Sequence, residues 1–83
     1  MVESTTNIND AASGLAALSI CESLLLAMGD LKLMNEKEVV GVVTDAAEAH
    51  RNAGESPGDI ALNREVVAIL DRIVAGGNSI RRP

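Results

Sequence analysis

The segment from Leu15 to Met28, LAALSICESLLLAM, constrains the fold of this chain more than any other stretch. It holds one charged residue, Glu22, and it is followed by the helix-stopping pair Gly29-Asp30. A membrane-spanning helix needs about 20 predominantly apolar residues, and a carboxylate near the centre of a bilayer is costly. We therefore expect a helix that packs against protein, with no membrane as a partner.

The circumference of this helix divides into two surfaces at about 100° per residue. Apolar side chains cover about half of it, namely Ala17, Leu18, Ile20, Cys21, Leu24, Leu25 and Met28. The opposite strip is small where an ordinary surface helix carries charges, and it consists of Ala12, Ala16, Ser19, Ser23 and Ala27. Small residues let a second helix approach closely. The alternative, in which this strip simply faces water, stays open from the sequence.

The remaining composition offers few other sources of stability. The 83 residues form one domain, and none of them is Phe, Trp or Tyr, the residues that supply the largest burials. A single cysteine cannot form an internal disulfide. Small scaffolds in this position commonly gain stability by association, most often as a two-fold dimer. We predict a homodimer through helix 1, and the predicted interface residues are Ala12, Ala16, Ser19, Glu22, Ser23, Leu26 and Ala27.

The stretch LMNEKEVV carries the strongest helix-start signal in the sequence. Asn35 is a good N-cap with Glu38 three residues later, which is the capping-box arrangement, and Met34 and Val39 can form a hydrophobic staple. These signals outweigh the strand propensity of VVGVV. Gly41 costs about 1 kcal/mol in a helix interior, which suggests close packing at that position.

The stretch ESPGD predicts the start of a third helix. Ser56 suits the N-cap, Pro57 the first helical position and Asp59 the first turn. The predicted fold is all-α, a three-helix antiparallel bundle with helices at about 9–28, 35–53 and 57–75 in a domain spanning 8–75. Glycines are expected to end the helices, at 29, 54 and 76–77. Residues 1–7 are predicted to be flexible, and residues 76–83 a disordered basic tail.

Cys21 and His50 are each unique in the chain and invite a catalytic interpretation. Cys21 falls within the leucine-rich face, where a cysteine usually behaves as a buried, inert hydrophobe. His50 lies near the end of helix 2, where a cation suits the negative end of the helix dipole. Structural zinc needs four convergent ligands, more than one chain supplies here. We therefore expect no catalytic residue, no metal ligand and no cofactor, and a protein that is not an enzyme.

Several other classes of function are disfavoured by charge and motif. The net charge of −5 argues against nucleic acid as a partner. An acyl carrier needs a serine at a helix start, whereas the nearest match is Gly58-Asp59-Ile60, and neither a calcium loop nor a glycine-rich phosphate loop occurs. The N-terminus lacks a basic region followed by an apolar run, so we expect a cytoplasmic protein.

Three stretches, ALSICESLLLA, DLKLMNEKEVVGVV and DAAEAHR, resemble a group of short uncharacterised bacterial helical proteins, over roughly residues 15–52. The resemblance implies an all-α bacterial cytosolic protein and carries no assigned activity. The predicted function is a small protein–protein interaction or homodimerisation module with an accessory or regulatory role. One alternative is a binding domain for a helix of another protein, and another is a weak nucleic-acid-binding regulator that uses Arg81 and Arg82.

Overall fold

The computed structural model describes residues 2–76 and Ile80, with side chains from residue 7 onward. These residues form three α-helices, α1 (Val2–Asp30), α2 (Glu36–His50) and α3 (Pro57–Gly76), and no strand occurs among them. The predicted all-α class is confirmed. The rest of the predicted tail, at 77–79 and 81–83, lies outside the described residues, and Arg81 and Arg82 lie there too.

The start of α2 is fixed by the predicted capping box. The backbone N–H of Glu38 donates to Oδ1 of Asn35 at 2.8 Å, and the backbone N–H of Asn35 donates to Oε1 of Glu38 at 2.9 Å. Two of the unpaired amides at the helix start are thereby satisfied. Met34, just before the cap, packs against the cluster that contains Val39, as the predicted staple requires.

The start of α3 also agrees with the sequence prediction. Pro57 is the first helical residue, and the backbone N–H of Asp59 donates to Oγ of Ser56 at 3.1 Å. Proline is suited to this position because its missing N–H would have no partner there in any case. Asp59 lies in the first turn, where its negative charge is favourable against the positive end of the helix dipole.

The C-terminal ends of α1 and α2 differ from the prediction. Gly29 is helical, and the left-handed residue after α1 is Lys32, with φ 60°. The amides of Lys32 and Leu33 donate to the carbonyls of Gly29 and Met28, both at 3.0 Å, which is the Schellman pattern of helix termination. Helix α2 ends at His50, four residues before Gly54. The N-terminal boundary of α1 is also earlier than predicted, at Val2.

Helices α2 and α3 pack against each other along their lengths. His50, the last residue of α2, bonds to Asn63 in the second turn of α3. Val39 and Val43, nearer the start of α2, are buried in a cluster that also involves the last turns of α3, through Leu70, Ile73 and Val74. The two helices are therefore in contact near both ends of α2.

Ile80 completes this small core, against the expectation of a disordered tail. It is 1% exposed and forms the buried cluster together with Val39 and Val43. An isoleucine side chain gains about 1.5–3 kcal/mol from full burial, which is a large contribution for so small a core. The prediction for this residue is therefore wrong.

Helix α1 packs differently from α2 and α3. Leu25, near its C-terminal end, reaches the buried cluster, but no Cα of α1 lies within 8 Å of a Cα of α3 in the described part of the chain. An antiparallel bundle in which all three helices pack together is therefore not confirmed. The close packing expected at Gly41 is wrong for the single chain, because a Cβ placed there would meet no atom within 4 Å.

Candidate functional site: the exposed face of α1

Helix α1 exposes large apolar side chains along most of its length. Ile8, Leu15, Ile20 and Leu24 each expose between 58% and 70% of their surface. Isolated exposed leucines are normal on proteins, but a contiguous apolar surface usually marks an interaction site. A helix that is apolar on all sides is typically surrounded by other structure.

One side of α1 faces α2, and the opposite side is open. The half-buried residues of α1 lie on about a third of its circumference and are Leu18, Glu22, Leu25, Leu26 and Gly29. They occupy the C-terminal half of the helix only. The open side over the same turns carries Ile20 and Leu24 beside the small strip. The exposed face of α1 is defined here as Ala16, Ser19, Ile20, Ser23, Leu24 and Ala27.

The seven predicted interface residues do not all share this face. The five small ones, Ala12, Ala16, Ser19, Ser23 and Ala27, are exposed. Glu22 and Leu26 are half-buried on the side of α1 nearer α2. Ile20 and Leu24 were absent from the predicted interface, although their positions flanking the small strip on the helical wheel could have identified them.

A shallow depression of about 340 Å³ lies on the exposed face of α1. Its lining consists of Ser19, Ile20, Ser23 and Leu24, so two small side chains lie beside two large apolar ones. No titratable group lines it. The arrangement can receive an apolar side chain, and it offers no group for acid–base or nucleophilic chemistry.

Glu22 is half-buried on α1. It makes no side-chain hydrogen bond or ion pair with any residue that the structure describes. A carboxylate in such a position gains from an added hydrogen-bond donor, because a partly desolvated charge is costly without a partner. This geometry is compatible with a hydrated surface acid and with a group that selects a partner helix.

Cys21 is exposed, so the expectation of a buried cysteine is wrong. The sequence places Cys21 on the leucine-rich face, but α2 covers a neighbouring side of α1 instead. His50 is half-buried at the end of α2, and its Nδ1 lies 2.6 Å from Oδ1 of Asn63. The hydrogen-bond partner of the imidazole is therefore an amide of α3. Among the described residues, no three His, Cys, Asp or Glu side chains converge as a metal site would require.

An ion-pair network links the C-terminal end of α2 to α3. Arg51 lies 3.2 Å from Asp71 and 2.9 Å from Glu48. The hydrogen bond with Asp71, and then the one with Glu48, raise the pKa of Arg51 above its ordinary value. These groups are exposed, so the contact orients the two helices more than it stabilises them.

The single chain is too extended for its size. Its accessible surface is 6107 Å², whereas a compact monomer of 8.6 kDa exposes about 4,700 Å². Its radius of gyration is 14.7 Å, against about 12 Å for a compact chain of 83 residues. The surplus surface is about 1,400 Å², and the exposed apolar side chains of α1 contribute to it.

Length and composition alone would also allow α1 to cross a membrane. The stretch Asn7–Asp30 spans 24 residues, with a mean hydropathy of 1.7 in its most apolar window and none of that window buried. Core helices of soluble proteins and signal sequences meet the same criteria, so this finding by itself is weak.

The geometry defines an all-α protein in which one side of an apolar helix, α1, is exposed. Comparison of the chain with protein-family models, with curated proteins and with solved structures finds no match. The resemblance to short bacterial helical proteins therefore stays a prediction. Function has to be inferred from the exposed face of α1.

Proposed function

We propose that this protein is a small non-enzymatic homodimerisation module of the bacterial cytoplasm, with an accessory or regulatory role. In this proposal the exposed face of α1 packs against the same face of a second copy. The observation that carries the proposal is the solvent exposure of Ile20 and Leu24 beside a strip of small residues.

The surplus surface of the single chain matches the size of a dimer interface. A standard stable interface buries about 800 Å² on each partner, and permanent homodimers bury more. The surplus of about 1,400 Å² per chain is sufficient for such an interface. Burying it would bring the surface of each copy close to that of a compact protein.

The exposed face of α1 is also suited to pairing with itself. In a two-fold arrangement the same patch meets its own copy, so each contact occurs twice. Leu24 of one copy can enter the depression lined by Ser19 and Ser23 of the other, and the reverse contact follows by symmetry. A second α1 would then cover the open side of the first, and an antiparallel bundle would form across the two copies.

Sedimentation equilibrium of the pure full-length chain at micromolar concentration tests the proposal. The expected mass is about twice 8.6 kDa, in the absence of lipid and detergent. Ser23→Lys is expected to yield the single-chain mass, because it places an ammonium group in an apolar contact. Ala49→Lys, at an exposed position of α2, adds the same charge away from the interface and is expected to remain dimeric.

Circular dichroism of both variants establishes that they remain helical. A wild-type chain that is fully helical and sediments at 8.6 kDa would contradict the proposal. Dimers that persist equally in Ser23→Lys and Ala49→Lys would contradict the assignment to α1.

A second candidate function is a binding domain for a helix of another protein, and the same exposed face supports it. It differs in requiring a stable monomer that binds an apolar-surface dye in the absence of a partner. Flotation of the wild-type chain with lipid vesicles would instead favour a membrane-inserted α1, which its length and hydropathy allow.

A further inference from the structure

A groove lies at the corner where α2 ends and α3 begins, and it does not involve α1. Its volume is about 420 Å³, and its polar lining consists of His50, Arg51, Asn52, Asn63 and Arg64. No acidic side chain lines it. In a chain with a net charge of −5, this groove has two arginines and no acid in its lining.

The hydrogen bonds around His50 fix the orientation of its ring. Nδ2 of Asn63 donates to the backbone carbonyl of Asp59 at 2.9 Å, which identifies the other amide atom as the oxygen. That oxygen lies 2.6 Å from Nδ1 of His50, so Nδ1 carries the hydrogen and donates it. In this tautomer the second nitrogen, Nε2, carries the lone pair and can only accept a hydrogen bond.

The guanidinium group of Arg64 has no partner among the described residues. Arg64 makes no hydrogen bond or ion pair with its side chain to the residues that the structure describes. Its neighbours one turn away on α3 carry no carboxylate, namely Ile60, Ala61, Val67 and Ala68. By contrast, Arg51 is held by Asp71 and Glu48. The planar fork of Arg64 is therefore available for an oxyanion.

The backbone around the groove is strongly constrained. Asn52 and Gly54 adopt left-handed conformations, with φ of 70° and 103°. A Cβ at Gly54 would lie 2.8 Å from the backbone carbon of Asp59, so the loop is seated directly on the first turn of α3. Ile60 and Val67 add apolar surface to the lining beside Arg64.

We propose that this corner binds a small organic anion. The oxyanion head, a phosphate or a carboxylate, would be held by the guanidinium group of Arg64, and a short apolar body would contact Ile60 and Val67. The volume falls within the usual range of small-molecule sites, about 300–1,000 Å³. The proposal is independent of dimerisation, because every residue it uses belongs to α2, α3 or the loop between them.

The test is a titration of the full-length, ¹⁵N-labelled protein followed by NMR, with inorganic phosphate, phenyl phosphate and butyrate in separate experiments. Saturable shifts are expected at the amides of Gly54, Asn63 and Arg64. Phenyl phosphate should bind more tightly than inorganic phosphate, because only phenyl phosphate has a ring that can contact Ile60 and Val67. Saturation by phenyl phosphate alone identifies phosphate esters, and saturation by butyrate alone identifies carboxylates.

Arg64→Gln is expected to weaken binding by about tenfold or more, since a charge-assisted hydrogen bond is lost. Arg72→Gln removes the same charge from an exposed position of the same helix and should leave the affinity unchanged. Should Arg64→Gln fail to fold, Arg64→Lys keeps the charge but removes the fork and should weaken binding as well. The absence of saturation with all three probes, or an equal loss in Arg64→Gln and Arg72→Gln, would overturn the proposal.

Discussion

Replacing Ile80 by Ala is expected to destabilise the protein by about 2.5–3 kcal/mol. Ile80 is 1% exposed and shares the small buried cluster with Val39 and Val43. The substitution removes three carbons, each worth about 0.8 kcal/mol when buried. The remaining cost of the cavity should be small, because Ile80 borders an open groove beside Val39 into which water can enter.

This loss is large for a chain of 83 residues. Stabilities of about 0.05–0.15 kcal/mol per residue give a total near 4–12 kcal/mol, so the variant should lose at least a fifth of it. Urea unfolding followed by far-ultraviolet circular dichroism measures the change, since the chain has no Trp or Tyr to report by fluorescence. Protein concentration has to be held constant, because a dimer unfolds at a concentration-dependent midpoint.

The matched control is Leu62→Ala, which truncates a side chain that is 64% exposed on α3. It should cost less than about 1 kcal/mol, because little burial is lost. A loss in Ile80→Ala no larger than that in this control would show that Ile80 does not contribute a buried side chain to the cluster. A chain ending at Gly76 that keeps full stability would show the same.

Two further predictions concern residues with left-handed backbone, and the Ile80 assay serves for both. Gly54→Ala should destabilise the protein by about 2 kcal/mol or more, because its φ is 103° and the new Cβ would lie 2.8 Å from backbone; an unchanged midpoint would be inconsistent with this loop geometry. Lys32→Gly should stabilise the protein by about 0.5–1 kcal/mol, because glycine adopts the left-handed position without steric cost; a lower midpoint would argue against the Schellman ending of α1.

The starts of α2 and α3 could be predicted from the sequence because their determinants are local. Asn35 and Ser56 cap the two helices by accepting hydrogen bonds from residues only three positions later in the chain. The ends of α1 and α2 could not be predicted in the same way. Glycine adopts a left-handed backbone at the lowest steric cost. The left-handed residue after α1 is nevertheless Lys32, and Gly29 is helical.

Long-range contacts explain the other differences. Burial of Ile80 depends on its meeting α2, 37 or more positions earlier in the chain, which no local pattern encodes. The exposure of Cys21 depends on which side of α1 is covered by α2, and an all-round apolar helix does not specify that side. The small strip of the candidate site could be recognised as a repeat of Ala and Ser, whereas Ile20 and Leu24 were assigned to the leucine-rich face and are exposed in the structure.

The distance between the two Cys21 side chains of a spin-labelled wild-type sample tests the pairing of α1 most directly. Cys21 is the only cysteine, is exposed and lies within the turns that form the depression. Paired helices lie about 8–10 Å apart, so pairing centred on residues 19–24 should place the two labelled side chains within about 20 Å, whichever way the helices run. No dipolar coupling between labels, in helical protein at tens of micromolar without lipid, would contradict the account.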